Sequence, residues 1–502
     1  MAHVLLGQSY FLRLDSKLWQ AQQPYPPLGS LYALATLRQR GHRTSFFDAM
    51  LAASVDDWAV ALDVHQPEIA VLFEDNFNYL SKMSLLKMRQ AAFQMIAQAK
   101  QRGLPTIVAG ADMTDHAELY LQRGADFVLL GEGEETLLEL VALLERGAPS
   151  AELEAVRGLA LRRPDGQVVR TLPRPVLRDL DSLPWPAWDV VDIGRYRAAW
   201  RKHRYFSLNM VTTRGCPFHC NWCAKPIWGQ KYNSRSPQDV ADEMAYLKQT
   251  YKPDHLWFMD DIMGIRDAWI EEFADCLDAN GAAIPFKSLN RADLLLRGRT
   301  IPALARARAD IVWMGAESGS QKILDAMDKG TQVEQIAEAT HKLRAHGVKV
   351  AFFLQFGYPG ETRADVELTL KLVRELLPDD IGISVSYPLP GTPFYERVRH
   401  ELSDKANWED SEDLAMLYQG PFRTEFYRQL HTVVHKDYRS RKTWVALRGW
   451  LRNPAGWRAW QVKQVAAMLY HRISLPLAQR KLEALARLPH TPTRLANVTL
   501  QA

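Results

Sequence analysis

The chain has 502 residues, room for about three domains at roughly 100–200 residues each, which excludes a single small binding module. Hydrophobic residues at 47% and charged residues at 24% set aside a mainly disordered, collagen-like or disulfide-scaffolded protein. The net charge of +4 is uneven, because Lys436 to the end holds 13 Lys or Arg against Asp437 and Glu483, leaving −7 for everything before it.

No run of eighteen or more apolar residues occurs, and the start, MAHVLLGQSYFLRLD, has no basic flank before a long apolar stretch. Neither a membrane span nor a signal peptide is expected, and the cytoplasm is the expected compartment.

Residues 1–150 alternate apolar strand-like runs (HVLLG, TSFFDAM, EIAVLF, PTIVAGA, ADFVLLG) with helical patterns, which predicts an α/β, doubly wound parallel sheet. Such sheets bind ligands beyond the carboxyl ends of their strands. The candidate loops there are Gly110-Ala111-Asp112 and Gly131-Glu132-Gly133-Glu134, although a glycine after a strand also serves simply as a turn residue. Residues 151–200 loosen into the proline-rich LPRPVLRDLDSLPWPAWDVVD, which reads as an interdomain linker. From 201 to 400 six strand–helix units recur, fitting a partial (βα)6 barrel of the TIM type with its site at the strands' carboxyl ends. Residues 401–502 read as a basic helical region carrying Trp444, Trp450, Trp457 and Trp460. Such helices either lie on an anionic membrane or an acidic partner, or pack on the barrel with a solvated basic face, and the second is the expectation. No nucleic-acid recognition motif appears, and no nucleic acid is expected as partner.

The segment TTRGCPFHCNWCAKP places Cys216, Cys220 and Cys223 in a C-x3-C-x2-C spacing directly after an apolar strand. Four cysteines are too few for a disulfide framework, and three within eight residues point to a metal or redox site in a reducing compartment. Three thiolates on one loop supply three ligands of a 4Fe-4S cluster, which ordinarily takes four, so one iron would be open. Cys276, at an apolar helical position in EEFADCLDA, reads as an inert buried thiol. Structural zinc is the alternative, with His219 as a possible fourth ligand inside the same loop.

CPFHCNWC resembles the signature of the radical S-adenosylmethionine (SAM) superfamily. The resemblance implies that the open iron holds the amino and carboxylate groups of SAM, and that one electron splits the sulfonium into methionine and a 5′-deoxyadenosyl radical. It also implies an external reductant such as flavodoxin or ferredoxin. A primary carbon radical must be made in an enclosed barrel mouth. Asp260 and Asp261 resemble the element that receives the methionyl ammonium, with a helix N-cap as the alternative. Glu317 and Ser318 in GAESGS resemble the element that holds the ribose hydroxyls. Trp222 matches a position bordering the adenine, or simply packs; Arg291 would meet the SAM carboxylate, or form a surface salt bridge.

Residues 1–150 resemble the cobalamin-binding domain fused to such barrels in a subfamily that includes carbon and phosphorus methyltransferases and the anaerobic magnesium-protoporphyrin ester cyclase. The likeness is carried by PPLGSLYALATLRQRGHRTSFFDA, by VAGADMTDHAELYLQRGADFVLLGEGEETLLEL and by LPWPAWDVVD ahead of the barrel, and with the barrel it covers about residues 1–400. It implies cobalamin contacts at Gly110, Gly131, Glu132, Gly133 and Glu134, and departs at Gly110-Ala111-Asp112-Met113, where the family often has Gly-Gly-x-His. The implied activity is methyl transfer to an unactivated carbon of a small-molecule substrate. A radical cyclisation or rearrangement is the alternative, and a non-catalytic cobalamin or cluster sensor is the third reading.

Overall fold

The computed structural model describes residues 1–223, 227–402, 405, 407–451 and 457–488. The first sheet contains β1 (His3–Gly7), β2 (Arg43–Phe47), β3 (Ile69–Phe73), β4 (Thr106–Ala109) and β5 (Phe127–Leu129), parallel and in the order β2-β1-β3-β4-β5. β1, β3, β4 and β5 are short apolar runs because both faces are covered, whereas the edge strand β2, RTSFF, is only partly buried. Leu5, Ala70, Leu72 and Val108 point to one face, under Ala92, Met95 and Ile96 of α2 (Leu86–Lys100). Val4, Leu6, Val71 and Ile107 point to the other, under Leu34 and Leu37 of α1 (Leu28–Gln39) and Leu137 and Val141 of α3 (Glu134–Glu145). That is the doubly wound arrangement expected.

The sheet does not stop at residue 150. β6 (Leu159–Arg162) and β7 (Val168–Arg170), within the stretch expected as linker, add antiparallel to its β5 edge. The rest of that stretch is packed rather than loose, since Trp188 and Trp200 are buried and the Trp200 indole donates to the Pro24 carbonyl at 2.8 Å. Its prolines precede a helix, Ile193–Trp200, and do not mark an absence of contacts.

The second sheet is β8 (Ser207–Met210), β11 (His255–Phe258), β12 (Phe286–Asn290), β13 (Ala309–Glu317), β14 (Lys349–Phe356) and β15 (Asp380–Val385), all parallel and adjacent in that order. These six strands form the partial barrel expected. Between β8 and β11 a two-residue ladder, β9 (Thr213–Arg214) with β10 (Asn233–Ser234), pinches the base of the cysteine loop. Outside lie α4 (Pro237–Thr250), α5 (Asp267–Asn280), α6 (Thr300–Arg306), α7 (Val333–Ala345) and α8 (Arg363–Leu376). Ser236 caps α4, with proline at its first position, and Thr362 with Asp365 forms a capping box on α8, so both helices start where the sequence places caps.

Among the described residues the carboxyl-terminal region is α-helical only from Thr424 onward, in α9 (Thr424–Trp450) and α10 (Ala459–Ala486). Residues 407–423, expected as helix, instead form an irregular strap laid back on the first domain. There the Leu86 amide donates to the Trp408 carbonyl at 2.8 Å and the Ser411 hydroxyl to Asp15 at 2.7 Å. α9 packs on α8, with Arg374 pairing Asp437 at 2.7 Å and the Tyr438 hydroxyl donating to the Pro378 carbonyl at 3.0 Å.

Candidate functional site

The carboxyl ends of both sheets face each other, and several cross-links between them come from residues beyond a strand end or in the cysteine loop. Lys82, after β3, pairs with Asp261, after β11. The Tyr387 hydroxyl, after β15, donates to the Met83 carbonyl at 3.2 Å. Phe77 stacks on Trp228 at 5.1 Å.

The strongest cross-link is Arg214. Its Nη1 lies 2.6 Å from Glu132 Oε1 and its Nη2 2.7 Å from Glu134 Oε1, while the guanidinium sits over Tyr32 and Phe77 at 5.5 Å. Burial alone would lower the Arg214 pKa; Glu134 and Glu132 more than reverse that, so the cation is held charged. Glu132 Oε2 accepts the Leu177 amide at 2.6 Å. The two acids expected as cobalamin contacts are therefore spent on an arginine two residues ahead of Cys216. Of the glycines beside them, Gly131 donates its amide to Thr114 Oγ1 at 3.3 Å, and a Cβ on Gly133 would lie 3.0 Å from the Phe73 ring. Gly110 is also internal: a Cβ there would come within 2.8 Å of the Glu74 side chain.

Different groups face the crevice at the β1/β3 boundary, where the strand order β2-β1-β3 reverses direction and where open α/β sheets take their ligands. Gln8, directly after β1, and Glu74 and Asn76, directly after β3, are buried. Among the described residues no hydrogen-bond partner is found for either atom of the Gln8 amide, for Glu74 Oε2 or for Asn76 Oδ1. Glu74 Oε1 accepts the Ser9 amide at 2.9 Å, and burial pushes the carboxyl up to about 7. Buried polar atoms are normally paired, so unspent ones at a switch point are what a polar-rimmed cofactor such as cobalamin would need. Gln8 and Glu74 follow the runs HVLLG and EIAVLF directly, with Asn76 two residues further on, so their position after a strand is the signal in the sequence.

The cysteine loop lies at the barrel's carboxyl end, with Cys216, Cys220 and Cys223 partly buried and His219 exposed. Asn221 pins it. Its amide nitrogen donates to the Met327 carbonyl at 3.1 Å, its side-chain nitrogen to the Ala326 carbonyl at 2.9 Å and Asp328 at 2.7 Å, and its oxygen accepts the Tyr358 hydroxyl at 2.6 Å. Gly215 has φ +81°, and a Cβ there would sit 2.3 Å from the Lys231 carbonyl, so only glycine lets the chain enter this loop. Among the described residues no three His, Cys, Asp or Glu side chains converge as ligands of a single ion.

Arg291 is buried and no surface salt bridge. It holds Asp293 at 2.9 Å and the Lys329 carbonyl at 2.8 Å, stacks over Phe218 at 3.7 Å and approaches Cys220 Sγ at 3.8 Å. Lys329, also buried, pairs with Glu317 at 2.8 Å. Burial lowers its pKa, while Glu317 and Cys220 more than reverse the shift. Two cations, Arg291 and Lys329, thus lie on the Cys220 side of the loop. Three thiolate donors on one pinned loop, with cations against them, fit an iron–sulfur cluster.

The remaining expected residues are placed as follows. Asp260 is buried and accepts the Thr212 amide at 2.7 Å, its hydroxyl at 2.6 Å and the Thr213 amide at 3.0 Å. It thus holds the end of β8 into β9, and burial lifts it to about 6 despite those donors. Ser318 accepts from the Ser320 amide at 3.1 Å and lies 3.2 Å from the Thr369 hydroxyl, as a turn residue after β13. Glu317 has φ +56° at a register shift in β13, which turns its carboxylate toward Lys329. Trp222 is half-buried against the core, and its ring nitrogen is buried with no partner found among the described residues.

The loop after β14 carries one testable titration. Glu361 accepts the Gly357 amide at 2.6 Å, and burial pushes its carboxyl up to about 8. A carboxyl raised in the fold binds its proton more tightly there than in the unfolded chain, so stability is lost as pH rises from about 4.3 through about 8. Glu361→Gln keeps an acceptor for Gly357 and is expected to remove about 2 kcal/mol of that loss. Thermal midpoints at pH 5 and pH 8 check it: the variant gains at pH 8 and stays level at pH 5.

Residues 210–373 match the model of the Radical SAM superfamily, and residues 19–141 match the B12 binding domain. An uncharacterized methyltransferase from Pyrococcus horikoshii is 26% identical over 388 residues, 76% of this chain and 81% of that protein. The anaerobic magnesium-protoporphyrin IX monomethyl ester cyclase of Synechocystis is 26% identical over 411 residues, 80% of this chain and 79% of that one. Among solved structures, the radical S-adenosylmethionine methyltransferase TsrM from Kitasatospora setae, with cobalamin and a 4Fe-4S cluster bound, superposes with a TM-score of 0.65 at 18% identity, covering 80% of this chain and 78% of that one.

Proposed function

We propose that this chain, which belongs to the radical SAM superfamily and carries an amino-terminal B12-binding domain, transfers a methyl group to a carbon of a small-molecule substrate. The observation that carries the reading is the opposition of the two carboxyl rims: the cysteine loop lies on one, and Gln8, Glu74 and Asn76, with unspent polar atoms, lie on the other. When bound, the cluster supplies an electron, SAM an adenosyl radical and a methyl group, and cobalamin a methyl carrier.

The chain's own residues hold and shield these groups. Cys216, Cys220 and Cys223 would anchor the cluster, with Arg291 and Lys329 as the cations nearest Cys220. Glu317, the last residue of β13, and Ser318 directly after it would hold the SAM ribose, and Trp222 would border the adenine. Asp260 acts one step back, by fixing the strand that leads into the loop, and Asp261, which pairs with Lys82, would take the methionyl ammonium in exchange for that partner. Gln8, Glu74 and Asn76 hold cobalamin, while Glu132 and Glu134 keep the two rims together through Arg214. Phe77 and Trp228 close the seam against water, which a carbon radical requires.

Anaerobically reconstituted protein, given methyl-labelled SAM, hydroxocobalamin and a reductant, is expected to move label onto cobalamin and leave S-adenosylhomocysteine. Cys220→Ala should abolish this together with bound iron. Release of 5′-deoxyadenosine without label transfer would favour the cyclase reading, which the similarity to the Synechocystis enzyme keeps open. Neither product would sink both.

A further inference from the structure

We propose that the outer face of α10, with the adjoining end of α9, docks on an anionic lipid bilayer. α10 is apolar on two opposite faces. Met468, Leu475, Ala478 and Leu482 are turned inward, buried or half-buried. Val462, Ala466, Leu469, Ile473 and Leu477 recur every three or four residues on the other side and are exposed, Ile473 at 77% and Leu477 at 67%. An apolar stripe of this length left in water marks a contact surface.

The stripe's borders identify the occupant. At 3.6 residues per turn Lys463 and Lys481 fall on one edge and Arg472 on the other, all exposed. Exposed Trp444 lies under Arg472 at 4.7 Å, exposed Tyr470 under Lys436 at 5.2 Å, and Trp460 and Leu451 are exposed where the two helices turn back. Both acids of the region are taken, Asp437 by Arg374 and Arg441 and Glu483 by Arg363, so the positive charge on this face is uncompensated. A second copy of the chain would meet like charge, and an acidic protein would match the rim but not the stripe. A bilayer with anionic headgroups matches both, with Trp and Tyr at the boundary. Among the described residues no helix is long and apolar enough to cross a membrane, so the contact is peripheral. The Arg363–Glu483 pair at 2.8 Å ties α10 to the start of α8, beside the barrel's carboxyl rim.

Flotation of the full chain with vesicles tests this, comparing phosphatidylcholine alone with an equal mixture of phosphatidylcholine and phosphatidylglycerol. Binding to the mixed vesicles is expected at least about 30-fold tighter, and weaker as salt rises. Lys463→Ala with Lys481→Ala should lower it about 30-fold, at about five-fold per cation lost. Ile473→Ser with Leu477→Ser should lower it at least about ten-fold at both low and high salt. All four positions are exposed, so an unchanged thermal midpoint certifies each variant's fold. Equal binding to the two vesicle types, indifference to both double variants, or a dimer that Ile473→Ser with Leu477→Ser dissolves would each overturn the proposal.

Discussion

Arg214→Met is expected to cost about 3–5 kcal/mol, because it leaves Glu132 and Glu134 facing each other in a buried seam without the cation that both were placed to meet. The side chain fills a similar volume, so the loss is electrostatic rather than steric. Its pH dependence carries a sign. Without Arg214 the Glu134 carboxyl rises further above its unfolded value, so the variant loses stability as pH increases above about 4.3 and recovers part of it in acid. Adding Glu134→Gln should recover a comparable part at neutral pH. Denaturant midpoints for the single and double variants measure this; a deficit below about 1 kcal/mol would place the triad with exposed ion pairs and refute the seam.

Lys329→Met is expected to cost a similar 3–5 kcal/mol and to loosen the cluster as well. The ammonium lies between Glu317 at 2.8 Å and the neighbourhood of Cys220, so its removal leaves one buried carboxylate uncompensated and takes a cation from the thiolate. The Lys329 carbonyl still receives Arg291 in the variant, so the backbone should hold its course. A double cycle with Glu317→Gln separates the ion pair from the rest: coupling of more than about 1 kcal/mol is expected from denaturation. Iron retention in the presence of a chelator reads the second effect. Retention equal to the parent's would show that Lys329 serves Glu317 alone.

Much of the architecture was legible in the sequence because the central strands of the first sheet are buried on both faces, and a buried parallel strand writes itself as an uninterrupted apolar run. EIAVLF and HVLLG could be little else. β6 and β7 escaped because LALR and VVR are short edge strands with arginines, set among prolines. Residues 407–423 escaped because their order comes from contacts with Asp15 and Leu86, nearly four hundred and more than three hundred positions away, which no local pattern records. The cysteines were legible by spacing. Their supports were not: Asn221, Lys329 and Arg214 are ordinary residues until the fold shows what they touch. The pairing of Glu132 and Glu134 with Arg214 was hidden for the same reason, since an acid beside glycines looks the same whatever it meets.

The origin of the groups that close the first sheet's rim also orders events during synthesis. That sheet is complete at Arg170, whereas Arg214 and the 407–423 strap arrive later in the chain. At about 5–20 residues per second the arginine follows within about ten seconds and the strap some tens of seconds after that. A nascent chain therefore passes through an interval in which the crevice beside Gln8 and Glu74 has its walls but not its clasp, and a bulky corrin can enter then without prising anything apart.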